Sequence, residues 1–133
     1  MTYLLDTNIC IWYLRGKTTL LGDYLRNGLG NDICLCAPVV AELLIGAEKS
    51  QHRDKHLPVT QNFIKAFPIL PFDEHAAIIY VEKYLHLSRK GQSIHDFDLQ
   101  IASIALANSL TVVTHNLKHF NEVPGLQTAD WQR

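Results

Sequence analysis

The sequence predicts an α/β fold with a mainly parallel central sheet and helices on both of its faces. Two observations lead to it. Short apolar runs of strand character alternate with longer segments of helical period along the chain. Those runs are apolar along most of their length, as strands covered on both sides are. The 133 residues suit a single domain over residues 1–133. Such a chain can bury one core without disulfides or structural metal. An apolar fraction of 47% and a charged fraction of 19% exclude a disordered or fibrous protein.

Tyr3-Leu4-Leu5 is a short strand ending in Asp6. Thr7 to about Arg15 is helical, with Ile9, Trp12 and Tyr13 at three-four spacing, and Gly16 stops it. A second helix covers Leu20 to Asn27 and ends at Gly28. Ile33-Cys34-Leu35-Cys36 is the second strand. Pro38 fits the first position of the next helix, where its missing N–H is no loss. That helix runs through Leu43-Leu44-Ile45 into Glu48-Lys49, and His52 to about Phe67 forms another. Pro68-Ile69-Leu70-Pro71-Phe72 is a short strand near a sheet edge, because prolines bracket it. Asp73 caps a long helix to about Arg89, with Ala77, Val81, Tyr84 and Leu87 on one face and Gly91 at its end. Asp96 or Asp98 opens the next helix, which carries Ile101, Ala102, Ile104, Ala105 and Leu106. The β-branched strand Leu110-Thr111-Val112-Val113 leads into the polar Thr114-His115-Asn116, and a last short strand is expected near Leu126. Ligands on open α/β sheets bind beyond the carboxyl ends of the strands. Asp6 and the Thr114-His115-Asn116 turn therefore fall on the functional edge.

No run of about 18 apolar residues is present, so no transmembrane helix is expected. The N-terminus has no basic region before its apolar stretch, and the expected location is the cytoplasm. Cys10, Cys34 and Cys36 are an odd number without a C-x-x-C pair, and the expectation is buried, reduced thiols.

Three acids stand in apolar surroundings. Asp6 ends the first strand, Glu42 is the sole charge between Ala37 and Ala47, and Asp98 opens an apolar helix. Each has a structural alternative: Asp6 or Asp96 can cap a helix, Asp98 can sit in a favourable first turn, and Glu42 can pair with a buried base. Together they carry more. The nearby apolar segments offer no basic partner, and an unpaired charge near a core costs several kcal/mol or titrates away. Carboxylates converging without counter-charge call for a cation, and oxygen donors with water suit Mg²⁺ or Mn²⁺.

Leu4-Leu5-Asp6-Thr7-Asn8 resembles the opening of the PIN-domain ribonucleases, specifically the VapC-like toxins of type II bacterial toxin–antitoxin pairs. Ala41-Glu42-Leu43 with Gly46-Ala47 resembles that family's second acidic motif, and Phe97-Asp98-Leu99-Gln100-Ile101-Ala102 its third. Val113-Thr114-His115-Asn116, His119-Phe120, Val123-Pro124-Gly125-Leu126 and Asp130-Trp131 are similar to its C-terminal segment. The resemblance spans the chain with the motifs in order. It implies a PIN-like three-layer α/β/α sandwich and an endoribonuclease that depends on Mg²⁺ or Mn²⁺. It also implies a cognate VapB-like antitoxin docking a helix and a basic tail into the acidic groove, a homodimer, and tRNA as a target. Carried over by residue, Asp6 and Asp98 are metal ligands and Glu42 completes the catalytic acids. Thr7, Asn8 and Asn116 are polar supports. Two positions depart from the pattern: Asn116 and His119 stand where the family often has a further acid, and His95 stands where it often has Gly. Asp96 is a possible substitute acid, although helix capping is its expected job.

In the chemistry this implies, Asp6 and Asp98 hold one ion, while Glu42 reaches it through water or acts as base on the attacking water. Net charge is −1, which by itself shows no nucleic-acid footprint. Setting aside Asp6, Glu42, Asp96 and Asp98 leaves 9 acids against 12 Lys and Arg, so the remaining surface is +3. Arg15, Lys17, Lys49 and Lys118 are the candidate basic rim for RNA, with His115 and His119 on the same edge. His52/His56 and His115/His119 have the i, i+4 spacing of zinc ligands but no third partner, so exposed polar residues are the expectation. Trp12 and Tyr13 are expected to pack rather than to stack on bases. Two other readings compete: an inert PIN-like RNA-binding module, and a Mg²⁺-dependent phosphoacceptor receiver domain. The receiver needs paired acids after the first strand, where Asp6 stands alone, and a mid-chain acceptor better than Pro71-Phe72-Asp73.

Overall fold

The computed structural model describes residues 1–17, 20–27 and 29–131. Five parallel strands lie in the order β3-β2-β1-β4-β5: β1 (Tyr3–Leu5), β2 (Ile33–Cys36), β3 (Ile69–Leu70), β4 (Thr111–Val113) and β5 (Gln127–Ala129). Leu4 pairs with Cys34 on one side and Val112 on the other. Leu4, Leu5, Ile33, Cys34, Leu35, Cys36, Val112 and Val113 are wholly buried, which is why these strands read as unbroken apolar runs. All three cysteines are buried and free, as expected.

The helices are α1 (Thr7–Leu14), α2 (Leu20–Arg26), α3 (Ala37–Glu48), α4 (Arg53–Lys65), α5 (Glu74–Arg89), α6 (Asp96–Ala107) and the short α7 (Leu117–Phe120). Right-handed crossovers put α1–α4 on one face and α5–α7 on the other, a three-layer α/β/α sandwich. The packed pairs α1 with α3, α3 with α4, α5 with α6 and α6 with α7 agree with that division. α3 and α6 also touch, and the charge of Glu42 on α3 acts on Asp98 in the first turn of α6. Gly16 and Gly91 follow α1 and α5 at φ +71° and +70°, left-handed conformations that stop a helix and favour glycine. The expected helix end at Gly28 lies outside the described residues.

Several expectations need correction. Pro38 is the second residue of α3, not the first. The proline-bracketed strand shrinks to Ile69–Leu70, at a sheet edge as expected. α7 and a 3-10 turn at Leu29–Asp32 were not foreseen, being too short to show a period. On α5 the inward stripe is Ala76, Tyr80, Lys83 and Leu87, whereas Val81 and Tyr84 are 56% and 51% exposed. That helix has two apolar stripes, and Lys83 disguises the inward one: its stem is covered while its ammonium reaches Glu82 at 3.3 Å. Asp96 does not cap α6. His95 does, its Nδ1 accepting from the Phe97 N–H at 3.3 Å, and Asp96 instead accepts from the Tyr80 hydroxyl on α5 at 3.1 Å.

Ser109, just past α6, has φ +55°. A side chain in that region costs about 1–2 kcal/mol. Ser109→Gly is expected to raise unfolding stability by about 1 kcal/mol, read as a higher urea midpoint at unchanged slope.

Candidate active site

Asp6 is the first residue past β1, and its N–H still donates to the Val113 carbonyl at 2.9 Å. The carboxylate is 3% exposed. Oδ1 accepts from the Thr7 N–H at 2.7 Å, and Oδ2 accepts from the Thr114 hydroxyl at 2.8 Å. Thr114 is the first residue past β4 and is wholly buried. Its hydroxyl also accepts from the Asn116 N–H at 2.8 Å. The chain leaves β1 toward β2 and leaves β4 in the opposite direction, toward β5. Asp6 and Thr114 therefore face each other across the topological switch point.

Two helices bring the other acids. Thr7 opens α1 and donates its hydroxyl to Glu42 Oε1, 2.6 Å away on α3. Asp98 sits in the first turn of α6. The three carboxylates lie close enough to act on one another. Burial is the main cause that lifts Asp6 from the ordinary 3.8 to about 6. The Thr114 and Thr7 hydrogen bonds pull it down, while the charges of Asp98 and Glu42 push it up. Asp98 is also raised, first by burial and then by the charge of Glu42, against the pull of His95 and His119.

Among the described residues neither Asp6 nor Glu42 has an ion-pair partner, and Asp98 has only His119, with Nδ1 at 4.0 Å. Asn116 contacts the same imidazole, Nδ2 to Nδ1 at 2.9 Å. The thiols nearest the cluster are kept protonated by burial, Cys36 at about 12 and Cys10 well above its ordinary value. The donors on offer are thus carboxylate oxygens, the set a hard divalent cation takes. No group of three His, Cys, Asp or Glu among the described residues forms a preassembled metal cage. One or two carboxylates completed by water is how Mg²⁺ is usually held, so Asp6 and Asp98 fit it.

The structure thus gathers Asp6, Thr7, Glu42, Asp98, Asn116 and His119 at one edge. Asp96 belongs to the α5 contact instead. Asn8 is exposed at the start of α1. Arg15 lines the same groove as Glu42. Lys49 caps the far end of α3, about 10 Å along the axis from Glu42, and lies outside the cluster. Lys17 is exposed beyond α1, and Lys118 is exposed beside His119. The pairs His52/His56 and His115/His119 are exposed, and Trp12 and Tyr13 pack on the core. Sequence places Thr114 on the functional edge with its turn but assigns it no role. A hydroxyl directly after a β-branched strand on the functional edge was the available signal.

A PIN-domain family model matches residues 3–126. The chain belongs to the PIN-domain family. Within it, the tRNA(fMet)-specific endonucleases VapC of Shigella flexneri and Salmonella typhimurium are 34% and 33% identical over 131 residues, covering 98% of each chain. Ribonuclease VapC2 of Haemophilus influenzae is 30% identical with the same coverage. Two solved structures share the PIN fold closely. DNA-bound VapBC from Salmonella typhimurium superposes with a TM-score of 0.91 at 34% identity, over 98% of both chains. VapBC2 from Rickettsia felis, bound to a promoter DNA fragment, gives 0.90 at 32%, over 98% of this chain and 99% of that one. This PIN domain is a VapC-type member, as its motifs imply.

The raised Asp6 carboxyl has a consequence for the metal-free domain. Unfolded, Asp6 loses its proton near 3.8; folded, it keeps it to about 6. Stability on this account falls as pH rises between those values and stays reduced above them. With chelator present, Asp6→Asn is expected to be more stable than wild type at pH 7.5, by an amount on the order of 3 kcal/mol. Its advantage should vanish at pH 4, in melting curves recorded across that range.

Proposed function

We propose that this PIN domain is the toxin of a toxin–antitoxin pair, a Mg²⁺- or Mn²⁺-dependent endoribonuclease that hydrolyses RNA phosphodiester bonds. The observation that carries it is the convergence of Asp6, Glu42 and Asp98 at the switch point without counter-charge, in a chain of VapC type. Asp6 and Asp98 hold the cation. A bound divalent ion supplies charge neutralisation at the phosphate and a lowered pKa for water. Glu42, fixed by the Thr7 hydroxyl, takes the proton of the attacking water. Thr114 and the Thr7 N–H aim the Asp6 carboxylate, and Asn116 orders the turn beyond β4. Arg15, Lys17 and Lys118 meet phosphates outside the acidic pit. The names of the Shigella and Salmonella relatives make tRNA(fMet) the first substrate to try. An RNA substrate and three free buried thiols both point to the cytoplasm. No helix among the described residues is long and apolar enough to cross a membrane.

The antitoxin's seat is the groove beside Glu42, about 250 Å³, walled by Ile11, Leu14, Leu43, Ala47 and Val59. Leu14 and Val59 also line a second hollow between α1 and α4, so apolar surface continues away from the acids. An amphipathic helix with basic residues at one end matches that gradient from apolar to acidic. The second copy of the chain covers α5, where Ile78, Val81 and Leu85 are 61%, 56% and 42% exposed at helical spacing.

The catalytic reading is tested by RNA cleavage with purified chain. Asp6→Asn and Asp98→Asn are each expected to lose about 10²–10³-fold in rate, and chelator to abolish cleavage in the wild type. Chelator-resistant cleavage, or undiminished cleavage by either variant, removes the metal site from the mechanism. Metal binding without cleavage identifies an inert RNA-binding module. The α5 assignment is tested by light scattering of the eluted protein: wild type should run as a dimer and the double variant V81E/L85E as a monomer. A monomeric wild type overturns it.

A further inference from the structure

One polar side chain on the carboxyl edge stands outside the carboxylate cluster and is held by two contacts. His115 follows Thr114, the residue whose hydroxyl holds Asp6. Its Nδ1 lies 3.1 Å from Oδ2 of Asp130, just past β5. Its ring lies against the indole of Trp12 on α1, with centroids 5.3 Å apart and planes at 53°. The side chain is nonetheless 54% exposed. Its direction is thus set while its surface stays open, and Nε2 has no hydrogen-bond partner among the described residues.

The chemistry of that nitrogen follows from Asp130. An ionised carboxylate only accepts, so the Nδ1 proton is committed to it. In the neutral ring Nε2 is then an acceptor with no proton of its own. A nucleic-acid backbone presents acceptors almost everywhere, at phosphate and ring oxygens. The one donor is the ribose 2′-hydroxyl, which DNA lacks. We infer that His115 accepts a hydrogen bond from the 2′-hydroxyl of a nucleotide flanking the scissile phosphate, and so selects RNA over DNA. Trp12 braces the ring and Asp130 sets its tautomer, and neither touches the substrate. The inference rests on the ribonuclease reading above, and it adds a sugar-reading residue that the carboxylates do not supply. His119 is not an equivalent reader, because the Asn116 amide N–H faces its Nδ1 at 2.9 Å, which leaves the proton of the neutral ring on Nε2.

The test uses the full chain, an RNA oligonucleotide that it cleaves, and copies of that oligonucleotide with one 2′-deoxyribose at each position around the cut. Wild type should show one flanking position where the deoxy sugar lowers kcat/KM by about tenfold, the worth of one hydrogen bond. His115→Phe keeps a ring on Trp12 but has no acceptor. It should lower kcat/KM on all-ribose RNA by about tenfold and lose the deoxy penalty at that position alone. Asp130→Asn keeps the histidine but lets an amide N–H face Nδ1, moving the ring proton to Nε2. It should lose the same discrimination, with the tautomer change visible in the imidazole ¹⁵N spectrum. A merely structural role for His115 would move melting temperature or all positions equally. Retention of the deoxy penalty by His115→Phe, or its absence at every position in wild type, overturns the inference while leaving the ribonuclease intact. Failure of wild type to cleave RNA at all overturns the reading beneath it as well.

Discussion

The hydrogen bond from the Thr114 hydroxyl to Asp6 is the contact on which the site depends. It joins residues 108 positions apart in the chain. It exists because β1 and β4 are parallel neighbours whose connections leave in opposite directions. The backbone ladder ends at the Asp6 N–H and the Val113 carbonyl. Thr114 continues that ladder with a side chain. A buried carboxylate deprived of the bond would keep its proton to still higher pH, since the contact favours the charged form. The Thr7 N–H satisfies the other oxygen. Asp6 is therefore aimed and solvated by the protein's own donors.

Electrostatics around that contact run in two directions. Desolvation and mutual repulsion disfavour three ionised acids. Helix ends oppose this. Asp6 stands at the start of α1 and Asp98 in the first turn of α6, where the positive end of the helix dipole favours negative charge. Glu42 lies within α3 and has no such help, and the Thr7 hydroxyl is its partner. The resulting balance leaves the cluster short of positive charge. A divalent ion and a polyanionic strand together can supply and use what is missing.

Most of the architecture was legible because buried parallel strands leave long apolar runs, and glycines such as Gly16 and Gly91 mark helix ends. The acids were legible because Glu42 breaks an apolar helix with nothing nearby to pair it. What escaped was set by contacts distant in sequence. Asp ranks high as a cap, so Asp96 appeared to fit the start of α6. Tyr80 draws its carboxylate aside and leaves the capping to His95. The facing of α5 was ambiguous because two apolar stripes share Leu87, and packing alone chooses between them. Thr114 had an ordinary hydroxyl until strand order put it opposite Asp6. Asp130 was visible only as part of a terminal motif, because its contact with His115 needs β4 and β5 side by side.

The crowding of like charges at one edge also bears on how such a gene behaves when separated from its partner. On the proposed mechanism, a neutral amide in place of Asp6 abolishes cleavage and relieves the metal-free fold in the same step. Clones propagated without the neutralising partner should therefore drift toward soluble, well-folded, silent alleles rather than toward misfolded ones.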